Sequence, residues 1–178
     1  MGQQLNFCAI VLFFIACNNS TSIEEKNGDA ITTTKNDTAK IIDNTTPAAD
    51  LMALTAAEIK DDSVFADGSI PASWRNAGFS DSIAVKKFLK KVRYCVDNNQ
   101  RDSVASIIAY PLKKPVIIKD VESFLKNYNT LITEKVKKSL HQQNLRQLFR
   151  NTKGVMIGSG ELWINETPRG LKIIAINN

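Results

Sequence analysis

The first seventeen residues constrain this chain more than any other part, because they combine an apolar run with a cysteine. Residues 7–16 contain no polar side chain other than that of Cys8. A bilayer-spanning helix takes about 20 residues, so this run is too short. It fits the apolar core of a secretory signal that ends in a small residue, here Ala16. The sequence therefore predicts a signal peptide over residues 1–16.

Cys17 follows Ala16 directly, and this placement resembles the lipobox of bacterial lipoproteins. In that family the cysteine becomes the lipidated first residue of the mature protein, which implies a membrane anchor at Cys17. Asn18 stands where an aspartate would retain an enterobacterial lipoprotein in the inner membrane, which favours the outer membrane. Residues 1–6 contain no Lys or Arg, which a signal normally carries. An ordinary secretory signal and a wrongly chosen start codon are therefore the alternative interpretations.

The next segment, residues 17–62, is predicted to be the lipidated cysteine and a disordered acidic tether. Residues 18–47 contain no aromatic side chain and are dominated by Asn, Thr, Ser, Asp and Lys. Such a composition buries too little surface to offset the chain entropy lost on folding. A flexible tether of this length spans roughly 35–40 Å, which would hold the domain clear of a membrane. A short helix within residues 51–60 is also expected.

Charge separates the tether from the remaining domain, residues 63–178. Residues 18–62 hold nine acids and four Lys, a net charge of −5, whereas residues 63–178 hold nine acids and 19 of the 23 Lys and Arg, a net charge of +10. A basic domain indicates an anionic partner, such as lipid head groups, lipopolysaccharide or cell-wall carboxylates. The alternative is that these lysines only solvate helix faces.

The domain opens with helical periodicity. Ser80 and Asp81 offer an N-cap, and apolar residues from Val85 to Val96 recur at helical spacing, which predicts a helix of about 17 residues. Asp102 and Asp120 are expected to cap two shorter helices and Thr133 to open another. A further helix is expected over residues 145–150, and a short strand over residues 116–118. The outer face of the first helix is predicted to carry the cations that contact an anionic partner: Lys86, Lys87, Lys90, Lys91 and Arg93.

The spacing of apolar residues changes from helical to alternating near the end of the chain. Residues 155–157 and 161–165 flank Gly158-Ser159-Gly160, which suits a hairpin turn. A second turn over residues 167–170 precedes a last strand over residues 171–177, whose two apolar faces predict a central position. Helices followed by an antiparallel meander indicate an α+β fold with N-terminal helices packed on a C-terminal curved sheet.

Few residues in the sequence suggest catalysis or metal binding. Outside the predicted signal and the lipidated position, Cys95 is the single cysteine, and it lies on the apolar stripe of the first helix, as a buried and inert thiol would. The single histidine, His141, is expected to be a polar residue at a helix end. One His and one Cys cannot form a typical zinc site. We therefore predict no metal and no cofactor.

A ligand pocket is the second candidate site. Trp163 points away from Leu162 and Ile164 in an alternating strand, so a concave sheet could bring it into a cavity. Core packing, or an interface rich in aromatic side chains, is the alternative. The residues predicted to line this cavity are Trp163, Glu161, Met156, Tyr94, Tyr110 and Tyr128.

Segments across the domain resemble a group of uncharacterised lipoproteins of Bacteroidota and some Proteobacteria. The segments that carry the resemblance are 67–79, 110–112, 148–151, 154–164 and 173–177. The organisation of this group is similar to nuclear transport factor 2-like α+β domains, in which helices pack into a cone-shaped sheet, or to a reduced variant of them. The group has no assigned catalytic residue, so the resemblance transfers none.

Two functions follow from these observations. The first is a non-enzymatic envelope lipoprotein whose tethered basic domain binds a protein or an anionic envelope component. The second is a small-molecule-binding or isomerase-like pocket protein. We expect a membrane partner through the lipid anchor and no nucleic-acid partner, and a homodimer stays open.

Overall fold

A computed structural model describes residues 52–113 and 117–177. The predicted signal, Cys17 and most of the predicted tether lie outside the described residues. The six described helices are α1 Ala56–Ile59, α2 Ser82–Asp97, α3 Arg101–Ser106, α4 Val121–Lys126, α5 Tyr128–Leu131 and α6 Glu134–Gln142. The four described strands are β1 Arg150–Asn151, β2 Gly154–Ile157, β3 Leu162–Thr167 and β4 Gly170–Ile176. This arrangement confirms the coarse α+β class.

Helix α2 forms where its capping residue and its apolar period predicted it. The Asp81 carboxylate accepts hydrogen bonds from the backbone N–H groups of Ile83, at 2.8 Å, and Ala84, at 3.0 Å. Such an N-cap satisfies donors that have no partner within the helix. The side chains that face the core are all buried: Val85, Leu89, Val92, Cys95 and Val96. The predicted helix is therefore confirmed.

The shorter helices agree with the sequence in part. Asp120 and Thr133 cap α4 and α6 as predicted. Asp102 lies inside the first turn of α3, and the N-cap position belongs to Gln100, so that predicted cap is wrong. In the described part of the chain, no helix is long and apolar enough to cross a membrane.

One predicted element near these helices is wrong, and a second is shorter than predicted. The helix expected over residues 145–150 is absent, because Leu148 and Arg150 are buried while Phe149 between them is exposed, which is the alternation of an extended chain. Arg150 instead begins β1. The strand expected over residues 116–118 is reduced to one isolated antiparallel bridge between Leu112 and Ile118. Val116 lies outside the described residues.

The sheet is a four-stranded antiparallel meander in the order β1-β2-β3-β4. The hairpin predicted around Gly158-Ser159-Gly160 joins β2 to β3, and the turn over residues 167–170 joins β3 to β4. Strands β2 and β3 approach closely at Gly154, which has a φ of +126°. A Cβ atom there would lie 2.3 Å from the carbonyl oxygen of Ile164, so this position requires glycine.

The prediction that β4 is central is wrong, because β4 lies at the end of the strand order. Its register against β3 shifts between Trp163 and Ile164, so Ile174 is an extra residue in β4. This β-bulge lets Ile173 and Ile176 both reach the buried face, which explains why the strand looked apolar on two faces. The outer edge of β4 pairs in parallel with the chain that follows α3, through a bridge from Ile108 to Ile173.

Residues 53–62, which we call the strap, pack on α2 and on the chain before β1. The strap contains α1, whose Thr55 cap and Glu58 form a reciprocal capping box. Its C-terminal end is held by Asp62, whose backbone N–H donates to the Arg146 carbonyl at 3.0 Å. The boundary predicted after residue 62 lies at the end of this packed segment, so the prediction assigned the whole strap to the tether. The folded domain therefore includes the strap, because the strap's polar groups find partners on α2.

Candidate functional site

The five cations predicted to form a basic face on α2 do not form one. Lys86 is fully buried, and Lys90 and Arg93 are half-buried, whereas Lys87 and Lys91 are exposed. The prediction that all five lie on an outer face is therefore wrong. A contact between Lys87 or Lys91 and an anionic partner stays a prediction.

Lys86 is buried because the strap surrounds its ammonium group. Its Nζ atom donates to the carbonyl oxygens of Glu58 at 2.8 Å, Ile59 at 3.1 Å and Lys60 at 3.0 Å. Its Nζ atom also lies 2.7 Å from a carboxylate oxygen of Asp61. The last carbonyls of a helix have no partner within it, and α1 ends here, so the cation satisfies them.

Two further cations of α2 also have internal partners. Lys90 Nζ donates to the Ala53 carbonyl at 2.6 Å and to the Glu58 carboxylate at 3.0 Å. Arg93 donates to the Leu140 carbonyl at 2.9 Å and to the Gln143 carbonyl at 3.2 Å, at the C-terminal end of α6. A cation is favourable there because the helix dipole is negative at that end. These side chains join elements of the fold.

The aromatic residues predicted to share one pocket lie in separate places. Trp163 and Met156 are cross-strand partners on β3 and β2, on the face opposite the buried Leu162 and Ile164. Tyr94 lies on α2, where it lines a small cleft of about 220 Å³.

Tyr110 and Tyr128 instead belong to a core cluster. Both rings meet Phe124 edge-to-face, with centroid distances of 6.4 Å and 5.8 Å. Burial raises the pKa of Tyr128. The aromatic residues predicted to share a pocket therefore lie in three places: on the sheet face that carries Trp163, in the cleft beside Tyr94, and in the core around Phe124.

Glu161, also predicted to line that pocket, serves the hairpin between β2 and β3. It is buried, its carboxylate accepts from the backbone N–H of Ser159 at 2.6 Å, and Lys135 lies 3.2 Å away. Burial alone would raise its pKa, but hydrogen bonds from its own backbone, Lys135, Ser159 and Ser139 outweigh burial and lower the pKa. Glu161 is therefore an ionised structural carboxylate.

A different cleft, of about 610 Å³, lies between the end of α3, the start of α4 and the β3–β4 turn. We call it the edge cleft, because it lies beside the outer edge of β4. Its size falls within the usual range of ligand pockets, roughly 300–1,000 Å³. The lining residues are Ala105, Ser106, Ile108, Ala109, Tyr110, Val121, Thr167, Pro168, Arg169 and Lys172.

Local hydrogen bonds fix the polar rim of the edge cleft. The Thr167 hydroxyl donates to the Gly170 carbonyl at 2.8 Å and accepts from the backbone N–H of Arg169 at 3.1 Å, which holds the turn. Lys172 Nζ donates to the Ser106 carbonyl at 2.7 Å. In the described part of the chain, no ion pair joins Arg169 or Lys172 to a carboxylate. These two cations therefore give the cleft a positive rim.

Tyr110 forms the inner wall of the edge cleft. Its hydroxyl donates to the Ala105 carbonyl at 3.0 Å. Burial, with a smaller effect from Asp120, raises the pKa of Tyr110 to about 12, so the phenol stays protonated at neutral pH. Tyr110 was predicted as a pocket residue, but with different neighbours. Arg169 was missed, although its place in a predicted turn was a signal that it would be exposed.

Cys95 and His141 occupy the positions that their sequence context predicted. Cys95 is a buried free thiol, and burial raises its pKa, which opposes formation of a reactive thiolate. His141 lies in the last turn of α6, where its Nε2 atom is 2.8 Å from Asp97. Among residues 52–113 and 117–177, no group of three or more His, Cys, Asp or Glu side chains could hold a metal ion.

Comparison with protein-family models, with curated proteins and with solved structures finds no match for this chain. The interpretation of the edge cleft therefore depends on its own geometry and chemistry.

Proposed function

We propose that this chain is a non-enzymatic lipoprotein of the cell envelope whose domain binds an anionic ligand in the edge cleft. The observation that carries this proposal is the cleft's composition, since its lining includes two cations, Arg169 and Lys172, and no carboxylate. The apolar run that ends directly before Cys17 supports the lipid anchor, and Asn18 supports the outer membrane. A nuclear transport factor 2-like cone is part of the same proposal.

The lining of the edge cleft favours a ligand with an anionic group and an apolar part. Ala105, Ala109, Tyr110 and Pro168 offer an apolar wall, and a carboxylate or phosphate would pair with the cationic rim. A cation at the rim also raises the rate of encounter with an anion.

A binding role is favoured over a catalytic one by the groups inside the cleft. Its lining offers the hydroxyls of Ser106, Thr167 and Tyr110 but no His, Cys, Asp or Glu that could act as a base near neutral pH. Nucleophilic catalysis by a hydroxyl requires such a base. The isomerase-like alternative would need an acid–base pair that these residues do not supply.

The test uses octanoate as a probe, because it combines one carboxylate with an apolar chain. We expect octanoate to raise the melting temperature of the full chain in detergent, and neutral octanol to raise it much less. The double variant Arg169→Glu, Lys172→Glu should lose the effect of octanoate. A matched double variant, Lys126→Glu, Lys138→Glu, changes the charge equally at exposed sites on α4 and α6 and should keep it.

High salt should weaken the octanoate effect, because the rim cations are partly exposed and are therefore screened. Equal stabilisation of the native chain and the cleft variant would contradict the proposal, and so would equal effects of octanoate and octanol.

A further inference from the structure

A second cleft, of about 320 Å³, lies between the C-terminal end of α6, the turn that follows it and the β2–β3 hairpin. We call it the amide cleft, because four of its lining residues carry a neutral amide. The lining residues are Ser139, Gln142, Gln143, Asn144, Gln147, Gly158 and Ser159. None of them has a charged or an apolar side chain, whereas the edge cleft combines two cations with an apolar wall.

The side chain of Gln143 fixes the walls of the amide cleft relative to one another. Its Oε1 atom accepts a hydrogen bond from the backbone N–H of Gly158 at 2.9 Å. Its Nε2 atom donates to the carbonyl oxygens of Asn144, at 3.1 Å, and Gln147, at 3.2 Å. One amide therefore joins the end of α6, the following turn and the hairpin. A site whose walls are already fixed loses less conformational entropy when a ligand binds.

The hairpin approaches α6 closely because residue 158 is a glycine. Gly158 has a φ of +63°, and a Cβ atom there would lie 2.7 Å from the Cβ atom of Ser139. The Ser139 hydroxyl donates to the carboxylate of Glu161, which also accepts from the backbone N–H of Ser159. The contact between helix and hairpin therefore closes one side of the amide cleft.

Several polar groups of the lining have no partner in the described part of the chain. The Gln142 amide and the Ser159 hydroxyl make no hydrogen bond there. Asn144 accepts a backbone N–H of the turn through Oδ1, at 2.9 Å, which leaves its Nδ2 donor. Gln147 donates to a carboxylate of the strap through Nε2, at 2.8 Å, which leaves its Oε1 acceptor. The lining therefore offers both donors and acceptors, and all of them are neutral.

This lining favours one class of ligand. An apolar ligand would leave these polar groups without partners, and an ion would lose its hydration with no opposite charge to replace it. A nucleobase would need an aromatic or apolar face on which to stack, and the lining has none. A sugar hydroxyl is both a donor and an acceptor, so a primary amide can bond to it in either direction.

We propose that the amide cleft binds a neutral saccharide. The amides of Gln142 and Asn144 donate to sugar hydroxyls, the Gln147 Oε1 atom accepts from one, and the Ser159 hydroxyl serves in either direction. The site is separate from the edge cleft and does not depend on the lipid anchor, because its lining includes neither Arg169 and Lys172 nor Cys17.

The test uses three neutral disaccharides: maltose, cellobiose and N,N′-diacetylchitobiose, which differ in linkage and in their N-acetyl groups. Saturation-transfer difference NMR detects contact between their ring protons and the full chain, held in a detergent without a sugar head group. We expect a signal from at least one of the three. High salt should leave it unchanged, because no charged group takes part.

Amide-to-acid variants locate the signal on the protein. Gln142→Glu, Asn144→Asp keeps the shape and the acceptor oxygens of both side chains but removes their N–H donors, and it should reduce the signal several-fold. The matched double variant, Gln100→Glu, Asn129→Asp, makes the same chemical change at exposed positions on α3 and α5 and should keep the signal. Ser159→Ala removes a hydroxyl that the fold does not use, and it should weaken the signal without any added charge.

Three results would overturn the proposal. The first is a native chain that gives no signal with any of the three disaccharides. The second is an equal signal from the native chain, the amide-cleft double variant and Ser159→Ala. The third is loss of the signal in Arg169→Glu, Lys172→Glu, which would place the sugar in the edge cleft instead.

Discussion

The cations of α2 and those of the edge cleft carry the same charge but serve opposite purposes. Lys86 and Lys90 are bound by the carbonyls and carboxylates of the strap. Arg169 and Lys172 face a cleft whose lining holds no carboxylate. The number of basic residues on a helix therefore does not measure the charge available to a partner. What matters is whether another segment of the chain already supplies the anions.

Burial gives the two sets of cations different free-energy costs of desolvation. A charge removed from water is tolerated only when hydrogen bonds and opposite charges replace its hydration. Lys86, which is fully buried, has three carbonyls and one carboxylate for this purpose. The exposed Arg169 keeps its water. Two substitutions and a change of pH test this contrast.

The largest effect is expected at Lys86. Lys86→Met keeps the apolar stem but removes the cation from the strap carbonyls, and it leaves Asp61 with the more distant Arg150 guanidinium, at 3.5 Å, as its cation. Breaking a buried ion pair by removing one partner costs roughly 3–5 kcal/mol, and the partial exposure of Asp61 favours the lower end. Chemical denaturation of the full chain, followed by the fluorescence of Trp74 and Trp163, measures the free energy of unfolding.

The neighbouring lysine gives the matched control. Lys87→Met removes the same charge from an exposed position of α2, and surface changes of this kind usually stay within about 0.5 kcal/mol. A similar loss in both variants would mean that the strap does not depend on Lys86. The contrast between the two regions would then fail.

The sequence predicted the elements whose signals are local. Asp81, Asp120 and Thr133 were identified as caps because a capping side chain bonds to backbone two or three residues away. The hairpin at Gly158 and Gly160 was predicted for the same reason, since a tight turn is decided by adjacent residues. Tyr110 was identified as a pocket residue, although not with its actual neighbours.

The predictions made from the sequence were wrong where contacts between distant segments determine the structure. Lys86 looked like a solvent-exposed residue because its partners lie 25 to 28 residues earlier, in a polar segment with no core pattern of its own. The bulge at Ile174 shifted the period of β4 and made an edge strand look central. Arg169 and Lys172 become a site only because the end of α3 lies beside them.

An intermediate effect is expected from acid. Hydrogen bonding to Gln147, with the charge of Arg146, holds the pKa of Asp62 below its usual 3.8. Burial would raise the pKa of Glu58, but hydrogen bonds from Thr55 and Lys90 lower it below 4.5. A carboxylate whose pKa is lower in the folded state stabilises the fold above its unfolded pKa, and that contribution is lost as the pH falls through the folded value.

Hydrogen exchange of residues 53–62 measures this loss. We expect protection of the strap to fall as the pH drops from about 5 to about 3, more than the protection of β2 and β3 does. The double variant Glu58→Gln, Asp62→Asn should have weaker protection at neutral pH and a flatter pH dependence. If the native chain and the variant gave parallel pH profiles, these two carboxylates would not be what holds the strap.

The smallest effect on stability is expected in the edge cleft. Arg169→Gln removes a cation with no carboxylate partner in the described part of the chain, so the free energy of unfolding should change by no more than about 0.5 kcal/mol. The same variant should weaken the stabilisation by octanoate. The two measurements together separate a binding cation from a structural one. Arg169→Gln should weaken the octanoate effect and leave the free energy of unfolding nearly unchanged, whereas Lys86→Met should lower the free energy of unfolding. If Arg169→Gln destabilised the fold as strongly as Lys86→Met, the cleft cation would be structural too, and the positive rim would have no charge to offer a ligand.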